Sequence, residues 1–362
     1  MRYRERLKHA GEAAEEAGLD AVLVTPSADL VYLTGYDPPP LERLTCLVVR
    51  PGLDPVLVVP QLEEPLATSS LEDPIELAAW SETDDPYALV ASLVGRAQAV
   101  ACSDRMWAVH LMGLRRSLRG AATRLASSIL APMRVVKDRD ELHLLKRAAR
   151  SADEVFHRII EERLEGTTEA EVGERLGALL LELGHEEVGF TIVGSGPNAA
   201  SPHHEPTDRG IRAGDGIVLD FGGALGRYRS DISRTIAVAK PSTELAHVHE
   251  VVREAQERAF GAIYPGVPAQ EVDRAARQVI EQAGYGDRFI HRTGHGIGLE
   301  EHEDPYIVAG NDEVLTPGMC FSIEPGIYLE GELGARIEDI VAVTDNGARR
   351  LNTAPRELIV TR

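Results

Sequence analysis

Two stretches of β-forming residues in this chain carry carboxylates where a core strand should carry none. Ile217 to Phe221 is apolar except for Asp220, and a second strand, from about Tyr228 to Val238, carries Asp231. The glycine-rich segment between them reads as the turn of a hairpin. A carboxylate among Val, Ile and Leu is costly to bury unless a cation neutralises it. One such Asp alone would read as half of a structural ion pair. The device recurs, however, near the C-terminus. Met319 to Glu324 reads as a strand ending in a carboxylate, followed by the turn Pro325-Gly326. Ala335 to Val343 reads as its partner strand, with Glu338 near the start. Between the two hairpins lies Gly294-His295-Gly296-Ile297-Gly298. Four carboxylates and a histidine are thus available to one site. Two divalent cations cancel four negative charges and one does not, so the pattern favours a two-metal centre over an ion pair.

Residues two apart on a strand share a face, so Arg336 is expected to point the same way as Glu338. It would serve as a clamp on the carboxylates or as a substrate anchor; the bland alternative is a solvated surface arginine. Three glycines around His295 defeat a helix. His291, His295 and His302 therefore lie on an extended or looped segment, where backbone can approach a ligand closely. A lone histidine is more often structural, but three in one short segment point to function. His203 and His204 follow a loop by composition, Gly194 to Asn198, and would be incidental without further support.

The 362 residues suffice for two domains. Residues 1–130 alternate strand and helix signals and predict an α/β domain with a mixed sheet. Its expected strands include 21–24, 30–33, 46–49, 55–59 and 99–102, and its helices 61–69, 86–95 and 106–119, after an N-terminal amphipathic helix over 1–18. No phosphate-binding loop or carboxylate cluster occurs in it. Residues 131–138 read as a linker, and 139–362 as a second domain. There Asp138-x-x-Glu141 and Thr168-x-x-Glu171 are capping boxes opening two helices, with the first carboxylate hairpin following. Helices over 243–263 and 268–283 precede the second hairpin. Two helices and a carboxylate hairpin, twice over, imply an internal pseudo-twofold duplication that brings all four carboxylates to one centre.

A formal net charge of -20 opposes binding to nucleic acid and to anionic membranes. No run approaches the roughly 18 apolar residues of a membrane helix, and no signal-peptide core is visible. Cys46, Cys102 and Cys320 are far apart in apolar runs, which predicts buried free thiols, no Cys-ligated zinc and a cytoplasmic location.

Together these segments resemble the pita-bread metallopeptidases, the family of methionine aminopeptidase, aminopeptidase P and prolidase. The resemblance covers nearly the whole chain. It implies an α+β pita-bread (creatinase/aminopeptidase) domain after a prolidase-type N-terminal domain. It also implies five metal ligands: Asp220, Asp231, His295, Glu324 and Glu338. Asp231 and Glu338 would bridge two metals, with Asp220 completing one shell and His295 and Glu324 the other. Manganese is the family's usual metal, with cobalt or zinc also suited to this ligand set. His203 and His302 match the family's active-site histidines, and Glu324 its proton shuttle. His291 and Arg336 match substrate-pocket positions of the proline-specific branch, and His204 is a further candidate there. A homodimer is a family expectation.

The implied activity is hydrolysis of the bond between an N-terminal residue and a following proline. An Xaa-Pro dipeptidase (prolidase) is the leading expectation, with an Xaa-Pro aminopeptidase acting on longer peptides as the alternative. A metal-free hydrolase of the creatinase type or a non-catalytic binding module would have lost ligands that this chain keeps. A methionine aminopeptidase would lack the N-terminal domain. A dipeptidase must hold the free proline carboxylate, for which an arginine is best. Ile307 to Ile323 contains no Lys or Arg, so Arg336, His204 and His291 are the candidates for that anchor, together with a basic side chain from the N-terminal domain or a partner subunit.

Overall fold

The computed structural model describes residues 3–361, which divide after Arg134 into two compact units. In the first, β1 (Ala21–Val24), β2 (Cys46–Val49), β3 (Val56–Pro60), β4 (Glu76–Trp80), β5 (Ala99–Cys102) and β6 (Ala122–Leu125) form one sheet in the order β4-β3-β2-β1-β5-β6. The sheet is mixed: β1–β2 and β2–β3 are antiparallel, and the remaining pairs are parallel. Helices α1 (Tyr3–Glu16), α2 (Ala28–Thr34), α3 (Glu64–Ser70), α4 (Pro86–Val94), α5 (Ala108–Ser117) and α6 (Ser127–Val135) complete it. The helix expected from Met1 begins at Tyr3 among the described residues; Met1 and Arg2 lie outside them.

One local expectation is corrected here, and two strands and a helical stretch were not foreseen. Leu30 to Leu33, read as a strand, lies inside α2, which Gly35 closes at φ 73° with its N–H on the Val31 carbonyl. All four residues are buried, so periodicity gave no helical signature, and a short apolar run is ambiguous between the two states. The edge strands β4 and β6 were not anticipated. Every residue of β6 is exposed, and an exposed edge strand carries no apolar pattern. The expected linker over 131–138 is helical through Val135, and Val136 makes an antiparallel bridge to Met319.

The second unit opens with α7 (Arg139–Glu161) and α8 (Glu169–Glu182), each started by the expected capping box. Then come β7 (Glu187–Ser195), β8 (Gly216–Leu225), β9 (Tyr228–Val238), α9 (Thr243–Gly261) and α10 (Ala269–Gln282). Seven short strands follow: β10 (Gly294–Gly296), β11 (Glu303–Ile307), β12 (Cys320–Ile323), β13 (Gly326–Leu329), β14 (Leu333–Arg336), β15 (Asp339–Thr344) and β16 (Gly347–Arg350), then β17 (Ile359–Thr361). One sheet has the order β17-β9-β8-β7, a second β11-β10-β12-β15-β16, and β13 pairs only with β14. Leu176, Leu179, Phe221 and Ile236 belong to one apolar core, and Val272, Ile280, Phe321 and Val341 to another.

The two halves repeat backbone detail. Gly166 and Gly266 both sit at φ 90°, just before α8 and α10, and Thr168 and Pro268 each make an isolated bridge to a later segment. These parallels accord with the expected duplication.

Two further readings of the carboxylate strands change. The glycines after Phe221 are not a turn: β8 runs on to Leu225, and the reversal is the pair Gly226-Arg227, both at positive φ (60° and 68°). Two consecutive left-handed residues are what a tight hairpin with native strand twist requires. The strand expected from Ala335 to Val343 is broken at Ile337-Glu338, so β14 and β15 belong to different sheets. At the break the Glu338 N–H bonds the Ser233 carbonyl of β9 (2.9 Å), which brings the two sheets together at the carboxylates.

Candidate metal centre

Strand register explains the convergence. Asp231 on β9 lies opposite Gly222 on β8, and Asp220 lies opposite Ser233. Asp220 and Asp231 are therefore diagonal neighbours on one face of the sheet. Ile323 pairs with Asp339 across β12 and β15, which sets the flanking Glu324 and Glu338 opposite one another. His295 is the middle residue of β10, between β11 and β12. A Cβ on Gly294 would fall 1.9 Å from the Ser322 carbonyl oxygen, and one on Gly296 would fall 2.1 Å from that of Asp304. These glycines let strands close on His295; the expectation of backbone closing on a ligand is replaced by backbone closing on backbone.

All five residues line one cavity of about 510 Å³ with Phe190, Ile192, Pro202, His203, His291, Arg292, Glu301, His302 and Arg336. Asp231, His295 and Glu338 each offer a ligand atom, and the three lie within 4.8 Å of one another. His295 Nδ1 faces the Gly296 carbonyl at 3.1 Å, so the proton sits on Nδ1 and Nε2 is an acceptor. That Nε2 is 3.3 Å from Glu324 Oε1 and 3.8 Å from Asp231 Oδ2. A ring-nitrogen lone pair and carboxylate oxygens thus converge on one point. Asp220 Oδ1, Asp231 Oδ1 and Glu338 Oε1 are also buried without a hydrogen-bond partner.

The electrostatics follow. Burial, then repulsion from neighbouring carboxylates, pushes the Asp231 and Glu338 carboxyls well above the usual range, and Glu324 up to about 7. Burial, then His302, pulls His295 down to about 3, so its imidazole is neutral. The His302 ring stands edge-on to it with centroids 4.1 Å apart. The clustered oxygens and the neutral ring nitrogen make a hard donor set with one imidazole, which fits divalent cations.

Arg336 is buried and its contacts are internal. It donates to Asp220 Oδ2, to Ser233 Oγ (2.8 Å), to the Pro202 carbonyl (3.1 Å) and to the Tyr328 hydroxyl (2.9 Å). Ser233 Oγ in turn donates to Glu338 Oε2 at 3.0 Å. Arg336 is thus a clamp on the carboxylates. Behind it, the wholly buried Arg234–Asp339 pair ties β9 to β15.

The other sequence candidates divide. His203 and His302 reach the cavity. His204 does not line it; its Nε2 donates to the buried Glu169 Oε2 at 2.9 Å, so the expected substrate contact is corrected. His291 lines the cavity with both nitrogens engaged. Nδ1 donates to the Arg292 carbonyl at 2.7 Å, so Nε2 accepts from the Tyr328 hydroxyl at 2.8 Å. Sequence reasoning missed Arg292, Glu301, Ser233, Tyr328 and Glu169. Ser233 was findable, two residues beyond Asp231 on the same strand face. Arg292 sits within the histidine-rich segment, which was read for histidines alone.

Residues 143–345 match the Metallopeptidase family M24, and residues 6–136 match the Creatinase/Prolidase N-terminal domain. The chain is 46% identical to a Mycobacterium tuberculosis protein named "Probable dipeptidase PepE", over 99% of this chain and 96% of that one. It is 33% identical to the Xaa-Pro dipeptidase of Pyrococcus furiosus, over 98% of this chain and 100% of the relative. The crystal structure of dipeptidase PepE from Mycobacterium ulcerans superposes with a TM-score of 0.94 at 44% identity, covering 99% of this chain and 98% of that one. A carboxylate–histidine cluster in the second unit, a matching N-terminal domain and near-full-length relatives agree: this chain belongs to metallopeptidase family M24 and is a metal-dependent peptidase.

Proposed function

We propose that the protein is a dinuclear Xaa-Pro dipeptidase, a prolidase, cutting the bond between an N-terminal residue and a C-terminal proline. The observation that carries the metal centre is the set of partnerless buried oxygens on Asp220, Asp231 and Glu338, beside a His295 lone pair turned toward Glu324 and Asp231. Asp231 and Glu338 would bridge two cations, Asp220 would complete one shell, and His295 and Glu324 the other. Two divalent ions with Arg336 would offset four carboxylates and leave one positive charge for an anionic group. Manganese suits the oxygen-rich set, with cobalt or zinc as substitutes. Bound cations supply Lewis-acid activation of water and of the scissile carbonyl.

The chain's own groups do the rest. Glu324 takes the proton from water and returns it to the proline nitrogen. His203 and His302 donate hydrogen bonds to the negative charge that develops on the carbonyl oxygen. Phe190 and Ile192, on one face of β7 opposite Gly222 and Asp220, give an apolar wall for the substrate. Relatives named Xaa-Pro dipeptidase support the dipeptide over longer peptides.

We further read the protein as a cytoplasmic homodimer, with residues 1–130 as the prolidase-type N-terminal domain and 139–362 as the catalytic one. Three buried free cysteines suit a reducing compartment, and no helix among the described residues is long and apolar enough to cross a membrane. Elemental analysis together with assays on Ala-Pro, Ala-Pro-Ala and amidated Ala-Pro tests the whole reading. Two metals per chain and preference for the free dipeptide are expected. Equal rates on all three substrates would instead make the protein an Xaa-Pro aminopeptidase.

A further inference from the structure

The dipeptidase reading demands a cation for the proline carboxylate, and the three candidates named in the second unit are committed elsewhere. His204 donates to Glu169. His291 spends both nitrogens on the Arg292 carbonyl and the Tyr328 hydroxyl. Arg336 is held by Asp220, Ser233, Pro202 and Tyr328.

One more arginine, Arg292, lines the cavity. It is only partly buried, and its guanidinium holds no hydrogen bond or ion pair among the described residues. It lies over the Tyr306 ring, 4.5 Å from the centroid. A guanidinium resting over an aromatic face has its N–H groups free for a ligand, and its planar fork suits two parallel bonds to a carboxylate. The backbone supports the placement: the Arg292 carbonyl is gripped by His291 Nδ1, and the next residue, Thr293, is buried with its hydroxyl on Asp273 Oδ1 at 2.8 Å.

We infer that Arg292 is the specificity-determining residue that reads the substrate's free C-terminal carboxylate, with Tyr306 as the platform that orients it. The inference rests on the dipeptidase reading and deepens it. Arg292 lines the same cavity as Glu324 and His295. The carboxylate would therefore meet Arg292 while the rest of the dipeptide extends toward Glu324 and His295.

The test compares the metal-loaded wild type with Arg292→Met and Arg292→Lys on Ala-Pro, amidated Ala-Pro and Asp-Pro. Loss of a bidentate, charge-assisted contact should raise KM for Ala-Pro about 100-fold in Arg292→Met, with kcat changed little. Activity on the amide should stay within about threefold, which also shows that the variant is folded. Arg292→Lys should recover part of the loss, because it keeps the charge and loses the fork. An unchanged KM for Ala-Pro, an equal loss on dipeptide and amide, or a loss confined to Asp-Pro would overturn the assignment while leaving the dipeptidase reading intact. A wild type that cuts neither Ala-Pro nor its amide, or both equally well, would overturn the dipeptidase reading and this inference with it.

Discussion

Glu169→Gln is the substitution whose consequence can be worked furthest from the structure. Glu169 is fully buried in the first turn of α8. Its Oε1 accepts from the Ser195 N–H (2.8 Å), Ser195 Oγ (2.6 Å) and Asn198 Nδ2 (3.1 Å). Its Oε2 accepts from Asn198 Nδ2 (3.1 Å), His204 Nε2 (2.9 Å), the Thr207 N–H (3.2 Å) and Thr207 Oγ1 (2.6 Å). One carboxylate therefore grips both ends of the loop that carries His203. A glutamine amide turns one acceptor into a donor, and the Ser195 or the Thr207 backbone N–H loses its acceptor in either orientation. Burial alone would push the Glu169 pKa up, but the hydrogen bonds from Ser195, Thr207 and His204 outweigh it and lower it from 4.5 to about 2. A depressed carboxyl stabilises the fold above its unfolded pKa, and that contribution is lost as pH falls through the folded one. It amounts to about 3 kcal/mol at neutral pH and falls to about 1 kcal/mol near pH 3. Urea unfolding of wild type and Glu169→Gln across that range isolates the effect, since other titrations cancel in the difference. The stability gap should shrink by about 2 kcal/mol on acidification. With the loop loosened, kcat should also fall about tenfold or more. A gap independent of pH would refute the charge argument. A kcat within twofold of wild type, despite lost stability, would refute the link to His203.

Asp231→Asn and Glu338→Gln should each lose bound metal and activity together, because each removes a charge from the proposed bridging pair; two retained metals per chain, measured by elemental analysis, would count against the bridge. His203→Ala should lower kcat about 100-fold, while His204→Ala acts through Glu169 and costs less; steady-state kinetics giving the reverse order would exchange their roles. Tyr328→Phe should leave a buried Arg336 N–H and His291 Nε2 unpaired and destabilise by about 1–3 kcal/mol; a melting temperature equal to wild type would show that the chain from His291 to Arg336 carries no weight.

The sequence showed most where residues contradict their surroundings. Asp220 and Asp231 stand out because strand residues beside them are apolar, and the register then puts both on one face without further information. The capping boxes at Asp138 and Thr168 are equally local, and both form. What failed depends on partners far along the chain. The break at Ile337-Glu338 exists because the Glu338 N–H goes to Ser233 on another sheet. Nothing in the run Ala335 to Val343 announces that, and its β-forming residues favour one continuous strand. Leu30 to Leu33 failed for the opposite reason: burial on every side erased the period that separates helix from strand.

The same distinction separates the groups proposed for chemistry from the groups that hold them. Asp220, Asp231, Glu324 and Glu338 are legible because a carboxylate in an apolar strand run is costly to bury unpaired, and the family resemblance adds His295 to them. Glu169 is not, because an acidic residue in the first turn of a helix is ordinarily explained by the helix dipole and solvent. Only the loop folding back over α8 turns it into a buried hub. Arg292 is hidden differently. Its identity is unremarkable beside three histidines, and its importance depends on Arg336 being already consumed. That consumption follows from Asp220, Ser233, Pro202 and Tyr328 meeting around one guanidinium, four contacts from four separate segments. Which arginine faces the carboxylates is therefore a property of the assembled site: the strand pattern pointed to Arg336 alone and left it open between clamp and anchor.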